Sequence, residues 1–250
     1  MEYGIMEYGI ELKELKKVYG SKVAVNGISL QVKKGALFAM LGVNGAGKTT
    51  TIKMLTGLAK PDGGEALVMG HSITKELAEV KKVVNVSPQE TSVAPNLTVK
   101  ENLDFIAGIY GIGKDAAEKR TRDMIERFHL EEVADSKAKT LSGGWQRKLS
   151  IAMALITEPD VLFLDEPTLG LDVLARRELW QHIEALKGQI TIVLTTHYME
   201  EAEALSDEIA VMAQGEVKAV GTLEELKQMS GQDNLENAFI WIVENSQRKG

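Results

Sequence analysis

Residues 42–49 have the sequence Gly-Val-Asn-Gly-Ala-Gly-Lys-Thr, which matches the pattern G-x-x-x-x-G-K-[ST]. Glycines in such a loop allow backbone N–H groups to turn toward a phosphate, and the helix that follows adds unpaired donors and a favourable dipole. We expect Lys48 to reach the β- and γ-phosphates of a nucleotide and the Thr49 hydroxyl to ligate Mg²⁺. The predicted phosphate-binding residues are Gly42, Asn44, Gly45, Ala46, Gly47, Lys48, Thr49 and Thr50.

Two adjacent acids follow a second short apolar run. Residues 161–164 are all apolar and lead directly into Asp165 and Glu166. In a phosphate-loop enzyme, a carboxylate at the end of a neighbouring strand holds Mg²⁺ directly or through water, so Asp165 is a predicted metal ligand. Glu166 lies one residue further on, where it can polarise a water for in-line attack on the γ-phosphate. A pair of acids at a strand end is often only a solvated turn, and the lysine loop favours the catalytic interpretation here.

A second glycine-rich helix start occurs at residues 141–144, where Ser142, Gly143 and Gly144 precede a predicted helix. One nucleotide cannot easily use two such loops, because a predicted helical region separates them. A two-fold dimer in which each loop faces the nucleotide of the other subunit resolves this difficulty. The spacing therefore favours two chains around two nucleotides.

The composition narrows the class of protein. The chain has 250 residues, of which 44% are hydrophobic and 26% charged, as in ordinary globular proteins. A net charge of −7 argues against non-specific binding to nucleic acid, so no nucleic-acid partner is expected. The absence of cysteine excludes disulfides and thiolate chemistry. We find no apolar run long enough to cross a bilayer and no signal segment, so work at a membrane is expected to need a separate membrane-spanning chain.

Short strands and helices alternate around these motifs. Strands are predicted at residues 10–18, 28–32, 36–41, 66–69, 83–86, 161–164 and 190–194, a hairpin at residues 209–220, and helices at residues 50–58 and 173–187. Continuous apolar strands such as residues 190–194 belong to parallel sheets that are covered on both faces. The predicted fold class is α/β, a P-loop NTPase core with a mainly parallel sheet, an N-terminal antiparallel β-layer and an inserted helical subdomain.

The inserted subdomain is predicted at residues 90–157. Thr98 and Glu101 form a predicted capping box, and further helices are predicted at residues 115–130 and 145–156, with no strand between them. We expect one domain over residues 6–230, with its core at residues 6–89 and 158–230 and the helical subdomain between these parts. Residues 231–250 are a predicted short helical extension. Residues 1–5 repeat at residues 6–10, which indicates a duplicated start or a cloning remnant.

From about residue 8 to residue 230, these motifs and their order resemble an ABC-type ATPase, the nucleotide-binding subunit of an ATP-binding-cassette transporter. The resemblance implies hydrolysis of ATP to ADP and phosphate, with Mg²⁺ as a cofactor. It assigns Lys48 to the phosphates, Thr49 and Asp165 to the metal, and Glu166 to catalysis. Ser142, Gly143 and Gly144 match the signature loop that closes on the γ-phosphate held by the partner subunit.

Four further residues take their predicted roles from this resemblance. Tyr19 matches the aromatic residue that stacks on adenine, and Gln89 matches the glutamine that reaches the metal and the attacking water. Asp172 matches the aspartate that communicates across the dimer. His197 matches the histidine that contacts the γ-phosphate, so that Glu166, His197 and Gln89 form the predicted catalytic set. Without the resemblance, Tyr19 is equally well a packed turn residue and His197 a packing residue at a strand end.

The resemblance also implies partners. These are a second ATPase subunit, in a homodimer or heterodimer with ATP at the interface, and separate transmembrane permease subunits. The chain is therefore expected at the cytoplasmic side of a membrane, as a peripheral subunit. Hydrolysis would remove the γ-phosphate contacts and open the dimer. The C-terminal stretch that begins at Leu235 resembles that of bacterial exporters, which suggests export.

Four positions depart from the pattern of the family. Val43 stands where proline is usual, Trp145 where glutamine is usual, Lys148 where arginine is usual, and Leu169 where a small polar residue is common. The signature glycines and both acids are present, so the site is expected to be competent. At the substituted positions near the signature loop, we expect any effect to fall on the rate of hydrolysis or on the affinity of the two subunits for each other.

Three other classes of protein compete with this interpretation. The main alternative is a soluble ABC ATPase of translation or DNA repair, which usually carries two cassettes or a long coiled-coil insertion. Residues 89–141 are too short for such an insertion and lack sustained heptads. A GTPase or small-molecule kinase would leave the loop at residues 141–144 unexplained, and the guanine motif Asn-Lys-x-Asp is absent. A non-enzymatic, nucleotide-dependent assembly module is the third alternative.

Overall fold

The structure is a computed structural model that describes residues 7–247, so the repeat at residues 1–5 lies outside the described residues. In chain order the strands are β1 (Tyr8–Tyr19), β2 (Lys22–Lys33), β3 (Leu37–Leu41), β4 (Gly63–Val68), β5 (His71–Ser72), β6 (Val84–Ser87), β7 (Val161–Asp165), β8 (Thr191–Thr196), β9 (Glu208–Ala213) and β10 (Glu216–Gly221). The α-helices are α1 (Lys48–Leu55), α2 (Leu77–Val83), α3 (Val99–Ile109), α4 (Lys114–Arg127), α5 (Gly143–Leu155), α6 (Val173–Glu184), α7 (Met199–Leu205), α8 (Leu223–Ser230) and α9 (Leu235–Gln247).

Six strands form the central sheet, in the order β10-β9-β3-β8-β7-β6. The neighbours from β9 to β6 pair in parallel, and β10 joins as the antiparallel hairpin partner of β9. Strands β3, β7 and β8 are buried along their whole length because both faces of the sheet are covered. Their carboxyl ends meet at one edge of the sheet, where Asp165 ends β7, the lysine loop follows β3 and His197 follows β8.

Four strands form a second, antiparallel sheet, in the order β2-β1-β4-β5. Leu12 of β1 and Val25 of β2 belong to the same hydrophobic cluster as Ile52 and Leu55 of α1 and Phe38 of β3. Helix α1 therefore connects the two sheets through a shared apolar core, which is the favourable term that holds such layers together. This core fixes the position of α1 and of the loop that precedes it.

Residues 90–157 contain α3, α4 and α5, with two short 3₁₀ turns between α4 and α5. The predicted capping box is confirmed, because the Thr98 hydroxyl accepts from the Glu101 N–H while the Glu101 carboxylate accepts from the Thr98 N–H. Leu103 of α3 and Leu149 of α5 share one hydrophobic cluster with Leu162 of β7. Because these helices share a core with the sheet, the boundaries of the helical subdomain stay a prediction.

Several elements differ from the predicted pattern at their ends or in their existence. Helix α1 begins at Lys48 rather than residue 50, and α6 ends at Glu184 because the chain turns there toward Gly188, which has a φ of 76°. The sequence pattern does not predict the short helices α2 and α7. Helix α7 has seven residues and buries an acid, Glu201, so it carries no apolar stripe of recognisable period.

Candidate nucleotide site

The loop between β3 and α1 has a backbone that requires glycine at two positions. Gly47 has a φ of 104°, and a Cβ there would lie 2.7 Å from the carbonyl oxygen of Ala24. A Cβ on Gly42 would clash with the carbonyl oxygen of Met212. Gly47 is also the N-cap of α1 and offers no side chain to cap it. The first N–H groups of α1 are therefore available to an anion.

Lys48 is buried at the centre of this loop, with only 5% of its surface exposed. Its Nζ donates to the carbonyl oxygens of Gly42 at 2.6 Å and Val43 at 3.3 Å. The same Nζ lies 3.4 Å from Oε1 of Glu166, which is equally buried. The lysine that is predicted to bind phosphate and the acid that is predicted to activate water thus form one ion pair.

Asp165 ends β7 and contacts two threonine hydroxyls. Its Oδ1 accepts from Oγ1 of Thr49 at 3.0 Å and from Oγ1 of Thr195 at 2.5 Å. The contact with Thr195 follows from the parallel pairing of β7 and β8, which places the two residues side by side. Two of the three predicted metal ligands, Thr49 and Asp165, are therefore in direct contact, and the third is Gln89.

Glu166 lies directly after β7 and contacts the predicted γ-phosphate sensor. Its Oε2 is 2.6 Å from Nδ1 of His197, which follows β8. The backbone of Glu166 has a φ of 49°, a left-handed conformation that is unusual for a residue other than glycine. The Glu166 N–H donates to the carbonyl oxygen and to the hydroxyl of Thr195 and so holds this conformation in place. A strained backbone that its surroundings hold in place is typical of a functional residue.

A cavity of about 310 Å³ lies in front of the loop. Its lining residues are Lys22, Ala24, Asn44, Gly45, Ala46, Gly47, Lys48, Thr49, Thr50, Gln89 and Glu166. Seven of the eight predicted loop residues therefore meet Gln89 and Glu166 around one space, although these residues come from three separate parts of the sequence. The eighth, Gly42, lies outside the lining, and its carbonyl oxygen accepts from Lys48. Asp165 and His197 are not lining residues themselves. Asp165 contacts the lining residue Thr49, and His197 contacts the lining residue Glu166.

The other predicted residues lie outside this cavity. Tyr19 is 47% exposed at the end of β1 and pairs with Lys22, which does line the cavity. Ser142 caps α5 by accepting from the Trp145 N–H at 3.5 Å, with Gly143 and Gly144 in the first turn. Asp172 caps α6, because its Oδ1 accepts from the N–H groups of Leu174 and Ala175. The signature loop is thus exposed at a helix start and is not part of the cavity of its own chain.

Comparison with known proteins identifies the arrangement. A family model described as ABC transporter matches residues 25–169, more than half of the chain. The chain belongs to the ABC transporter family. It is 41% identical over 227 residues to the linearmycin resistance ATP-binding protein LnrL of Bacillus subtilis, covering 90% of this chain and 73% of that protein. It is 44% identical over 227 residues to the daunorubicin/doxorubicin resistance ATP-binding protein DrrA of Streptomyces peucetius, covering 90% and 69%.

Solved structures of ABC subunits have the same fold. One, the ATP-binding subunit of an ABC transporter, is 30% identical with a TM-score of 0.83, covering 94% of this chain and 99% of that chain. A second is a dimeric ATP-binding cassette in a post-hydrolysis state with ADP and Pi, 27% identical with a TM-score of 0.77, covering 86% and 98%. The predictions of fold, family and ATPase class are therefore confirmed, and the translation or repair alternative is not favoured. ATPase subunits of this family dimerise.

No helix among residues 7–247 is both long and apolar enough to span a bilayer.

One residue of the ABC site that sequence reasoning missed is Arg147 on α5. Its Nη1 donates to the carbonyl oxygen of Pro88 at 2.7 Å and its Nη2 to that of Gln89 at 2.5 Å. Arg147 is buried, and burial lowers the pKa of its guanidinium despite the nearby carboxylates of Asp165 and Glu201. The backbone at Gln89 is thus held by the helix that the signature loop begins. A basic residue on a helix is normally interpreted as solvated, so no pattern in the sequence marks it.

A second missed residue is Glu201 on α7, which is fully buried. Its Oε1 accepts from the Thr168 hydroxyl at 2.8 Å and from Nε1 of Trp180 at 3.1 Å. Glu201 therefore joins the segment after Glu166, helix α6, and the helix that follows His197. Burial raises the pKa of Glu201, while hydrogen bonds from Thr196, Thr168 and Trp180 lower it and the Glu166 charge raises it further.

Replacing Glu201 with glutamine should reduce the pH dependence of stability. Because the folded-state pKa is raised above the ordinary value of 4.5, the folded chain holds this proton more tightly than the unfolded chain. The free energy of unfolding of the wild type therefore falls as the pH rises from the ordinary pKa of Glu201 toward its raised folded-state pKa, by at most about 1.4 kcal/mol per pH unit. Glu201→Gln lacks this loss, so its free energy of unfolding relative to wild type should increase with pH in denaturant titrations from about pH 5 to 8.

The matched control is Glu200→Gln, because the Glu200 side chain is 80% exposed. Its free energy of unfolding should stay parallel to that of the wild type across the same pH range. Parallel curves for Glu201→Gln and wild type would show that the buried carboxyl titrates normally.

Proposed function

We propose that Glu166 is the general base of ATP hydrolysis and that Lys48, with the amides of the glycine loop, holds the phosphates. The observation that carries this assignment is the position of the Glu166 carboxylate, between Lys48 Nζ at 3.4 Å and His197 Nδ1 at 2.6 Å. A γ-phosphate at the loop offers Lys48 a second and stronger anionic partner. The Glu166 carboxylate is then free to accept a proton from the attacking water, with His197 holding its orientation.

Mg²⁺ fits the donors beside this pair. The hydroxyl of Thr49 and the carboxylate of Asp165 are hard oxygen ligands, which Mg²⁺ prefers, and they already contact each other. Gln89 lines the same cavity and is the proposed third contact, directly or through water. The ion, when bound, would neutralise charge on the β- and γ-phosphates. Thr195 and Arg147 hold Asp165 and the Gln89 backbone in place for this role.

The complete site is proposed to need two chains. Ser142, Gly143 and Gly144 lie at an exposed helix start outside the cavity, and Asp172 is likewise exposed at the start of α6. A second subunit, identical or related, would present these residues to the γ-phosphate held by Lys48. The dimeric neighbour that was solved with ADP and Pi supports this arrangement. Tyr19, next to the cavity residue Lys22, is the proposed adenine contact.

The proposed cellular role is export by a transporter, with this chain at the cytoplasmic side of the membrane as a peripheral subunit. The names of two relatives, both drug-resistance ATP-binding proteins, support this role. A separate transmembrane permease would dock at a second cavity, of about 300 Å³, which is lined by Leu58, Val86 and Tyr110 among others. Val86 belongs to β6, the strand that precedes Gln89 in the chain. Leu58 and Tyr110 are 70% and 51% exposed, so these two large side chains are not covered by any of residues 7–247.

Glu166→Gln should abolish turnover and preserve ATP binding. Loss of a general base typically costs about 10²- to 10⁴-fold in rate, whereas glutamine keeps the size of the side chain and the loop amides are untouched. Steady-state phosphate release and equilibrium binding of ATP measure the two effects separately. Glu184→Gln, an exposed acid of α6, is the control. Turnover equal to wild type in Glu166→Gln would refute the assignment of the base.

Mixing two inactive variants tests the shared site. Lys48→Met removes the phosphate lysine, and Ser142→Glu places a negative charge where the signature loop meets the γ-phosphate. Each variant alone should be inactive. In an equimolar mixture about half of the dimers combine one intact Lys48 with one intact Ser142 from the other chain, so turnover should reappear. No recovery in a mixture that exchanges subunits would mean that each chain builds its site alone.

Leu58→Asp tests the docking surface for the permease. A charge at this exposed apolar position should prevent association with the proposed transmembrane permease subunit, while ATP binding stays unchanged. Co-purification in detergent, followed by binding of ATP to the isolated subunit, measures both. Met229→Asp is the control, because Met229 is also exposed and lies on α8, far from Leu58 in the sequence. Full co-purification of Leu58→Asp would exclude this surface.

A further inference from the structure

A cluster of two histidines and one glutamate lies outside the nucleotide site. Glu178 and His182 are one turn apart on α6, and therefore share a face of that helix. His129 follows the C-terminal end of α4. One ligand atom from each of the three side chains lies within 4.8 Å of the other two. No residue of this cluster lines the cavity at the glycine loop.

His182 is the buried member of the cluster, with 9% of its surface exposed. Its Nε2 is buried and has no hydrogen-bond partner among the described residues. The imidazole contacts the ring of Phe128 at 5.2 Å between centroids and that of His129 at 5.1 Å, edge on. A buried ring nitrogen without a partner carries a desolvation penalty, which a bound ion would remove.

His129 reaches the cluster through the turn that ends α4. The His129 N–H donates to the Glu126 carbonyl and the Leu130 N–H to the Ile125 carbonyl, which is a Schellman motif. The left-handed position of this motif usually holds glycine, and here it holds His129 with a φ of 52°. The turn directs the chain so that an exposed imidazole lies beside the buried one. The exposed side of the cluster gives solvent access.

Glu178 completes the cluster with a carboxylate that already has a supporting contact. Its Oε1 accepts from Nζ of Lys148 on α5 at 2.7 Å. Lys148 is buried and its Nζ lies 4.1 Å from the centre of the Trp145 ring, so two of the positions that depart from the family pattern support this acid. The second carboxylate oxygen is left for another ligand. Carboxylates and imidazoles that bind a metal usually have such supporting hydrogen bonds.

We propose that His129, Glu178 and His182 bind a divalent transition-metal ion of the Zn²⁺ type, with water as the fourth ligand. Two imidazoles and one carboxylate are a known three-ligand set for Zn²⁺, with bonds of about 2.0–2.2 Å. Tetrahedral geometry requires these ligand atoms to approach to about 3.3 Å. The exposed His129 and the half-exposed Glu178 can make this adjustment by side-chain rotation. The bound ion would cross-link the end of α4 to α6.

The site is distinct in chemistry from the proposed Mg²⁺ position. Thr49 and Asp165 offer hard oxygens, whereas the cluster offers imidazole nitrogens, which favour Zn²⁺, Co²⁺ and Ni²⁺ over Mg²⁺. An excess of Mg²⁺ should therefore occupy the oxygen site and leave the histidine cluster open. This difference allows the two sites to be measured separately in the intact chain.

The experiment titrates the full-length chain, without an affinity tag, with ZnCl₂ in the presence of millimolar Mg²⁺, using calorimetry. Co²⁺ is the spectroscopic probe, because tetrahedral nitrogen and oxygen ligation produces visible absorption. The test variant is His129→Asn, since asparagine tolerates the left-handed backbone and the side chain is exposed. The matched control is His71→Asn, because His71 also has a neighbouring carboxylate, Glu76, at 3.7 Å.

We expect one Zn²⁺ per chain in the wild type and in His71→Asn. Removing a group that only supports a ligand costs about 10- to 100-fold in metal affinity, so His129→Asn should bind at least that much more weakly and lose the Co²⁺ absorption. His182→Gln should do the same, and if it fails to fold, His129→Asn still decides the question. Zn²⁺ binding that is absent in the wild type, or equal in wild type and His129→Asn, would overturn the proposal.

Discussion

Lys48 and Glu166 bring opposite charges together in an almost fully buried position, and the surrounding groups compensate for taking both out of water. The carbonyl oxygens of the glycine loop accept from Lys48, and His197 contacts the carboxylate on its other side. Such a pair adds little to stability by itself, because desolvation costs about as much as the attraction returns. Its significance is that both charged groups are already in position at the loop, where a bound phosphate can pair with Lys48 in place of Glu166.

This pair exists because parallel strands end at one edge of a sheet. β3 lies beside β8, and β8 lies beside β7, so the segments after all three strands are neighbours even though they are far apart in sequence. Leu41 pairs with Thr196 and Asp165 pairs with Thr195, which places the glycine loop, His197 and Glu166 next to one another. A shift of one strand by a single residue would separate these groups, so burial of the apolar strands sets the geometry of the site.

The sequence predicts the sheet and the glycine loop because their signals are local. An apolar run that leads into glycines, a lysine and a threonine needs no knowledge of the remaining chain. Arg147 and Glu201 could not be predicted in the same way. Each is a charged residue on a helix, which a pattern assigns to solvent, and each is buried here because tertiary contacts supply its partners. The short helix α7 is not predicted for the same reason, since the buried residue through which it contacts its neighbours is an acid, Glu201.

Helix α5 connects parts of the molecule that are far apart in the sequence and that no local sequence pattern places together. Ser142 caps its first turn, Arg147 holds the carbonyl oxygens of Pro88 and Gln89, and the next residue, Lys148, holds Glu178 of α6. A helix of this length is rigid compared with the loops on either side of it. Any movement of Ser142 toward a second copy therefore moves the Gln89 backbone and the middle of α6 at Glu178, unless those hydrogen bonds break. Because Asp172 caps α6, the surface that would face a partner is mechanically connected to the cavity that would hold the nucleotide.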